Sequence, residues 1–329
     1  MERLRDRPED LIALCAASAN FLGIPDPAFV EKDFWVVELL RSVFRPLPLE
    51  PLPGVPCSAR PLFKGGTSLS KAYRLMTRFS EDVDILLVVD GYGETATDKR
   101  VLKPICARVT TDMGLAEGAA HLVNATTGIK RTVDYEYPRL LLTETIRPFV
   151  QLEMGVRGGT IPGVQVRQVQ SYIAEYLLVV DPDTKFEELA QVEVEALSPV
   201  RTLVEKLALL HHAGVKALAG DELALLKHGR HFYDVYRLLR NDDVVSALRS
   251  ATSPVAVISE DSDAFSARYG WPYSPRPVDG YAASPVFASS GVVLVQAERA
   301  YQLSIGLVWG PRPTLSDCIE AVRAAASLL

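Results

Sequence analysis

The residues with the most evident chemistry lie within a short stretch of the N-terminal half. Asp82 and Asp84 are separated by one residue at the start of the apolar segment Ile85 to Val89, whose β-branched and leucine residues favour a strand. Side chains alternate between the two faces of a strand, so both carboxylates are expected on one face. Because adjacent carboxylates can share divalent cations, the pair predicts a metal site at the beginning of the strand.

A glycine pair stands before the two acids. Gly65 and Gly66 favour a turn, and Thr67 is expected to be the N-cap of a helix from Ser68 to Leu75. The N–H groups at that helix start would bind a phosphate, which makes Gly65, Gly66, Thr67 and Ser68 candidate nucleotide-binding residues. Roughly ten to fifteen residues between glycines and acids allow one helix and a return of the chain, which brings turn and carboxylates together. Each motif alone also suits an ordinary turn or a solvated strand end.

The order of these motifs resembles a known family. Lys64-Gly-Gly-Thr-x-Leu-x-Lys71 followed by Arg78-Phe-Ser-x-Asp-x-Asp84 is similar to the AbiEii-type toxins, which include the MenT toxins and belong to the polymerase-β-like nucleotidyltransferases. Three further segments resemble the same family in the same order. They are the helix 30–40, the lysine-containing helix 201–207 and the aspartate motif 230–239. The resemblance extends from about the first helix to residue 240.

The resemblance implies an α/β fold. Its polymerase-β-like nucleotidyltransferase core is a mixed sheet with flanking helices, and a mainly helical C-terminal domain follows. Strand patterns occur at 131–137, 149–156 and 192–197. Helical patterns begin at Pro199, so the expected domains are residues 1–197 and 198–329. Six prolines between Pro46 and Pro61 predict a loop that excludes both a helix and a central strand.

The resemblance also implies an activity. Two Mg²⁺ ions at Asp82 and Asp84 would promote transfer of a nucleoside monophosphate from an NTP to an acceptor hydroxyl, with release of pyrophosphate. The acceptor implied is the 3′ end of tRNA, whose modification blocks translation, and the protein would be the toxin partner of a cognate antitoxin. Two alternatives stay open: the same chemistry on a protein or small-molecule hydroxyl, and a non-catalytic nucleotide-binding module.

Glu153 is the candidate third metal ligand. It is the single acid in the apolar strand pattern Phe149 to Gly155, and a solvent-facing side chain is the alternative interpretation. Enzymes of the implied fold commonly have a third carboxylate on a neighbouring strand, where it completes the metal site and helps to deprotonate the attacking hydroxyl. Asp134 and Glu136 are weaker candidates.

Two residues in the helical region have expected roles. Lys206 lies at the edge of an apolar helix stripe, where it either extends along the core or, as the resemblance implies, contacts the triphosphate. Asp234 is four residues after Arg230 and three before Arg237, so an ion pair within one helix would explain it. Its place in the family motif favours a position near Lys206, with Asp234 orienting the ammonium.

Composition sets further limits. The net charge of −6 argues against non-specific coating of nucleic acid, although clustered cations could still hold a nucleic-acid end. Lys64, Lys71, Arg74, Arg78 and several cations between Arg201 and Arg240 are candidates for phosphate contacts. The N-terminus lacks the apolar segment of a signal peptide. The late apolar stretch 291–309 contains two central charges, which argue against a membrane span. The four cysteines are scattered along the chain, which indicates reduced thiols. These features predict a cytoplasmic protein, and a monomer is expected.

Overall fold

The computed structural model describes residues 2–49, 52, 54–250 and 254–329. The chain forms two compact units. The first comprises Met1–Tyr73, Phe79–Arg157 and Gln165–Ala196, and the second comprises Arg74–Arg78, Gly158–Val164 and Leu197–Leu329. Two short segments from the N-terminal half, 74–78 and 158–164, therefore belong to the second unit.

A seven-stranded sheet forms the centre of the first unit. Its strands are β1 (Ser58–Lys64), β2 (Asp82–Asp90), β3 (Ala120–Thr126), β4 (Lys130–Glu136), β5 (Phe149–Gly155), β6 (Val164–Val169) and β7 (Val192–Leu197). They lie in the order β3-β4-β5-β2-β1-β7-β6. The β2 strand runs antiparallel to β1 and parallel to β5, so the sheet is mixed, and helices flank it. This confirms the predicted α/β core.

Among the residues that the structure describes, six α-helices belong to the first unit. They are α1 (Pro8–Leu22), α2 (Pro27–Val43), α3 (Gly65–Lys71), α4 (Glu94–Thr97), α5 (Lys103–Asp112) and α6 (Tyr172–Val180). The Asp26 side chain caps α2 by accepting from the Ala28 N–H at 2.9 Å, and Pro27 occupies the first helical position. Nearly every residue of α2 is buried, because the helix contacts β5 as well as α1, α5 and α6.

Among the described residues, no single helix is long and apolar enough to span a membrane. The pair α1 and α2 reaches that length and composition together, but the two helices are bent by 108° at the break between them.

The expectation that residues 46–61 exclude a central strand is wrong. Strand β1 begins at Ser58, contains Pro61 and lies between β2 and β7. Proline removes a backbone donor, which matters where a strand has ladder partners on both sides. The pairing of β1 with β7 is limited to Phe63 and Ala196, so Pro61 lies where β2 is the ladder partner.

The second unit is mainly helical. Its helices are α7 (Pro199–Leu218), α8 (Gly229–Leu239), α9 (Asp242–Leu248), α10 (Pro254–Tyr269), α11 (Val292–Ser304) and α12 (Leu315–Ala324). Helix α8 is central to the packing, because it contacts α7, α9, α11 and α12. Its buried apolar residues include Phe232, Val235 and Leu238.

Candidate functional site

Strand register brings the predicted acids into one row. Asp82 and Asp84 are half-buried at the start of β2, with Val83 fully buried between them. Asp84 is the register partner of Glu153 on the parallel strand β5 and of Lys64 on β1. Register partners on neighbouring strands project from the same face. The three carboxylates of Asp82, Asp84 and Glu153 therefore share one face of the sheet.

Gly65 lies directly against the second acid. Its φ of +75° belongs to the left-handed region, and a Cβ atom there would come within 2.1 Å of the Asp84 Oδ2 atom. Only glycine combines this backbone angle with so close an approach. The glycine turn and the carboxylate are thus adjacent, as the sequence predicted.

The predicted N-cap role of Thr67 is wrong. Helix α3 already begins at Gly65, so Thr67 is inside its first turn, and Lys64 occupies the cap position. The buried Thr67 hydroxyl donates to the backbone carbonyl of Asp82. This hydrogen bond joins the start of α3 to the start of β2. Within α3, the Ser68 hydroxyl donates to the Gly65 carbonyl at 3.0 Å.

Two cations contact the acid row. The Arg147 guanidinium donates to Asp82 Oδ1, and its Nε lies 3.2 Å from Glu81 Oε2. Lys130 Nζ lies 3.0 Å from Glu153 Oε2. Sequence reasoning missed Arg147; the available signal was its position two residues before the strand that contains Glu153.

Glu81 anchors this arrangement. It accepts from Lys32 Nζ at 2.8 Å and from the backbone N–H and the side chain of Arg147. Burial alone would raise the pKa of the Glu81 carboxyl. The Lys32 and Arg147 charges outweigh burial, so this pKa lies below its usual value. Glu81 is therefore ionised at neutral pH and fixes Arg147 next to Asp82.

The acid row supplies the ligand type that Mg²⁺ prefers, since all three side chains offer carboxylate oxygens. Within the described part of the chain, no three His, Cys, Asp or Glu side chains are gathered tightly enough to hold a metal ion. Asp82 is paired with Arg147 and Glu153 with Lys130. The carboxylate side chains and their common sheet face suit Mg²⁺. Its binding would displace Arg147 and Lys130.

The second unit contains a buried charge cluster around Asp234. Both Asp234 oxygens accept from Arg78, at 2.6 Å from Nε and 2.8 Å from Nη2. Lys206 Nζ lies 2.8 Å from Asp234 Oδ2. The three residues are 5% exposed or less. The expected proximity of Lys206 and Asp234 is present, and the main partners of Asp234 come from other elements rather than from its own helix.

The charge state of this cluster follows from its surroundings. Burial alone would raise the pKa of Asp234, but the Arg78 and Lys206 cations hold it well below its usual range. Burial lowers the pKa of Lys206, and the Arg78 charge adds to this effect. Burial and the Lys206 charge lower the pKa of His231 to about 3, so this imidazole is neutral. Its Nδ1 lies 3.3 Å from Lys206 Nζ.

Several cations expected at phosphates are buried in ion pairs instead. Lys71 Nζ lies 2.7 Å from Asp33 Oδ1 and 3.8 Å from the centre of the Tyr172 ring. Arg201 contacts Glu205 at 2.8 Å and Asp261 at 2.7 Å. Together with Arg78, these residues are structural, because phosphate binding would break buried ion pairs.

Comparison with protein families identifies one match. The family model described as "Nucleotidyl transferase AbiEii toxin, Type IV TA system" matches residues 52–283. No curated protein matches the chain.

Proposed function

The chain belongs to the AbiEii nucleotidyl transferase toxin family of type IV toxin–antitoxin systems, and we propose that it is a Mg²⁺-dependent nucleotidyltransferase that modifies the 3′ end of tRNA. The observation that supports this proposal is the carboxylate row. Asp82, Asp84 and Glu153 share one sheet face, and Gly65 packs against Asp84 at a helix start. Family membership implies nucleotidyl transfer by a toxin; the metal and the acceptor are the proposed part.

The proposed reaction is an in-line displacement. The acceptor 3′ oxygen attacks the α-phosphorus of the NTP, the bond from that phosphorus to the bridging oxygen breaks, and pyrophosphate leaves. Bound Mg²⁺ would neutralise the developing negative charge and align the attacking oxygen. Asp82 and Asp84 would hold the metal ions, and Glu153 would complete the site and help to deprotonate the attacking hydroxyl. Gly65, Gly66, Thr67 and Ser68 provide the backbone that receives the triphosphate.

Lys206 and Asp234 have supporting roles in this proposal. An ammonium has three N–H donors, and Asp234 and His231 are partners of Lys206. We assign a remaining donor to a phosphate oxygen of the NTP, with Asp234 orienting the ammonium. Asp234 also binds Arg78, which lies four residues before Asp82 in the chain, so its carboxylate steadies the segment that leads into β2.

The acceptor is tested with labelled substrate. Purified protein is incubated with each α-³²P-labelled NTP, MgCl₂, total RNA and total protein, and the labelled fraction is separated. Label on tRNA, with the added nucleotide found by sequencing 3′ ends, supports the proposal. Label on protein or on a small molecule would establish one of the alternative acceptors, and no label in any fraction would support the non-catalytic module.

Substitution of the acids tests the site itself. Asp82→Asn and Asp84→Asn should each lower transfer by about a thousand-fold or more, since each removes a charged metal ligand. Asp90→Asn is the matched control, because Asp90 lies on the same strand at the same side-chain parity but is exposed at its end. Near-normal transfer by both site variants contradicts the proposed site. Glu153→Gln should also impair transfer, and normal turnover would leave Glu153 as a partner of Lys130 only.

The biological setting follows from the family. A toxin that modifies tRNA 3′ ends stops translation, and a cognate antitoxin is its expected partner. We propose that the protein acts as a monomer in the cytoplasm, where NTPs and tRNA are available.

A further inference from the structure

A basic cleft lies within the second unit. Its volume is about 710 Å³, and its described lining contains four arginines and no acidic residue. The arginines are Arg74, Arg237, Arg240 and Arg312, and the aromatic ring of Tyr236 and the Asn241 amide lie beside them. The whole chain has a net charge of −6, so four clustered arginines do not follow from average composition.

Three of these arginines contact neutral groups that orient them. Arg237 donates to the hydroxyls of Thr77 at 3.3 Å and Tyr233 at 3.5 Å. Arg312 Nε donates to the Val308 carbonyl at 2.9 Å, and the Arg240 guanidinium lies 5.5 Å from the centre of the Tyr236 ring. These contacts are with neutral groups, whereas the buried Arg78 and Arg201 bind carboxylates. Arg240 also interacts electrostatically with the exposed Asp317 carboxylate, which is not part of the lining.

Hydrogen bonds hold together the segments that form the walls of the cleft. The Trp309 N–H donates to the Thr77 carbonyl at 2.9 Å, which joins the segment 74–78 to the loop that precedes Arg312. Tyr233 on α8 contacts the same Thr77 through its hydroxyl at 2.9 Å. The cleft therefore exists in the protein before any ligand binds, and a ligand does not have to assemble it.

We infer that this cleft binds the phosphate backbone of the RNA acceptor, an inference that rests on the proposed function. Guanidinium groups bind phosphate oxygens in a bidentate manner, and an aromatic ring beside them offers a stacking surface for an unpaired base. The volume exceeds what one triphosphate needs, and four arginines spread over it suit several successive phosphates of a polynucleotide. The residues of the glycine turn proposed to receive the NTP triphosphate are not among the residues that line this cleft.

Binding of a short fluorescein-labelled single-stranded RNA tests this inference. Fluorescence anisotropy is measured without NTP at several salt concentrations for Arg240→Ala, Arg312→Ala and the double variant. Both side chains are exposed, so folding should survive, and thermal melting checks this. Each single variant should bind RNA several-fold more weakly. Each should also reduce the slope of log K against log salt by about 0.7, the contribution of one phosphate contact to a single strand.

Arg299→Ala is the matched control, because Arg299 is an exposed arginine on α11 outside the lining. Wild-type affinity and salt slope in the double variant would overturn the inference, even where Asp82-dependent transfer to RNA is intact. A loss of NTP affinity with unchanged RNA affinity would also overturn it and would identify the cleft as a nucleotide site. Loss of RNA binding confined to the cleft variants supports it. The Asp82→Asn result decides the proposed reaction separately, because RNA binding is measured without NTP.

Discussion

At the scale of single residues, neighbouring residues restrain the carboxylates of Asp82, Asp84 and Glu153. Asp82 and Glu153 each contact a cation, while Asp84 is the register partner of Glu153 and lies against Gly65. Like charges on one face repel each other, and Arg147 and Lys130 offset that repulsion in the protein without metal. In the proposed reaction, Mg²⁺ would take the place of these two cations beside the carboxylates.

Gly65 gives the sharpest prediction at this scale. Gly65→Ala should nearly abolish transfer, because the methyl group would collide with the Asp84 carboxylate and the residue would be strained at a φ of +75°. Gly93→Ala is the control, since a Cβ there meets no atom within 4 Å. Transfer rates and thermal melting of both variants are compared. Wild-type transfer by Gly65→Ala would show that the turn is not part of the site.

The pair of Lys206 and Asp234 is tested by a double-mutant cycle. Asp234→Asn should destabilise the fold by about 3–5 kcal/mol, because it leaves buried Arg78 and Lys206 without their anion. Lys206→Met should cost less, since Asp234 keeps both contacts with Arg78. Unfolding free energies and transfer rates are measured for both variants and their combination. Strictly additive losses in the activation free energy would rule out the proposed orientation of Lys206 by Asp234.

At the scale of elements, helix α8 serves two environments. Its buried side carries His231 and Asp234, and the next turn presents Tyr236 and Arg237 to the basic cleft. Asp234 and Tyr236 are two positions apart, and side chains with that spacing do not face each other on a helix. One helix therefore fixes the positions of the internal charge cluster and of the proposed RNA contacts.

Helix α8 should also make stability sensitive to acid. His231 has a pKa lowered to about 3 by burial, whereas the unfolded chain titrates near 6.5. Below pH 6.5 the unfolded state takes up a proton that the folded state does not, so the free energy of unfolding falls as pH falls. The contribution is about 2 kcal/mol by about pH 5.

Denaturant unfolding across this pH range checks the effect. His231→Asn should flatten the slope of unfolding free energy against pH, whatever its effect on absolute stability. His121→Asn is the control, because the His121 side chain is 53% exposed. Equal slopes in wild type and His231→Asn would show that His231 does not titrate as described.

At the scale of the whole molecule, the chain passes more than once between its two units. Residues 74–78 belong to the helical unit, and the acids of β2 follow within a few residues. The segment 158–164 also returns to that unit between β5 and β6. Each unit is therefore assembled from segments that are not continuous in the chain.

Expression in cells tests the toxin at this scale. The wild-type protein should arrest growth with altered tRNA 3′ ends, and Asp82→Asn should relieve the arrest because nucleotide transfer stops. Asp90→Asn should still arrest growth. Growth curves and sequencing of tRNA 3′ ends provide the measurements. Arrest that persists with Asp82→Asn, or unchanged tRNA ends during arrest, would reject the tRNA-modifying toxin.

Local sequence signals determined the chemistry of the site and most of its elements. The spacing of Asp82 and Asp84 fixed their common face, the Asp26-Pro27 pair fixed the start of α2, and the glycines fixed the turn beside Asp84. These features depend on residues close in the chain, where helix and strand periods govern side-chain direction. Strands β3 and β6 escaped detection because each lies at a sheet edge, where exposed polar residues obscure the apolar pattern.

Tertiary structure alone decided which distant residues meet. Glu153 became the neighbour of Asp84 through strand register, and Arg147 reached Asp82 from a loop without any motif. Burial likewise decided that Lys71 and Arg78 bind carboxylates, while Arg240 lines an open cleft. Arg78 and Arg240 have the same side chain. Their partners and their exposure depend on packing between elements far apart in the chain, which local periodicity does not encode.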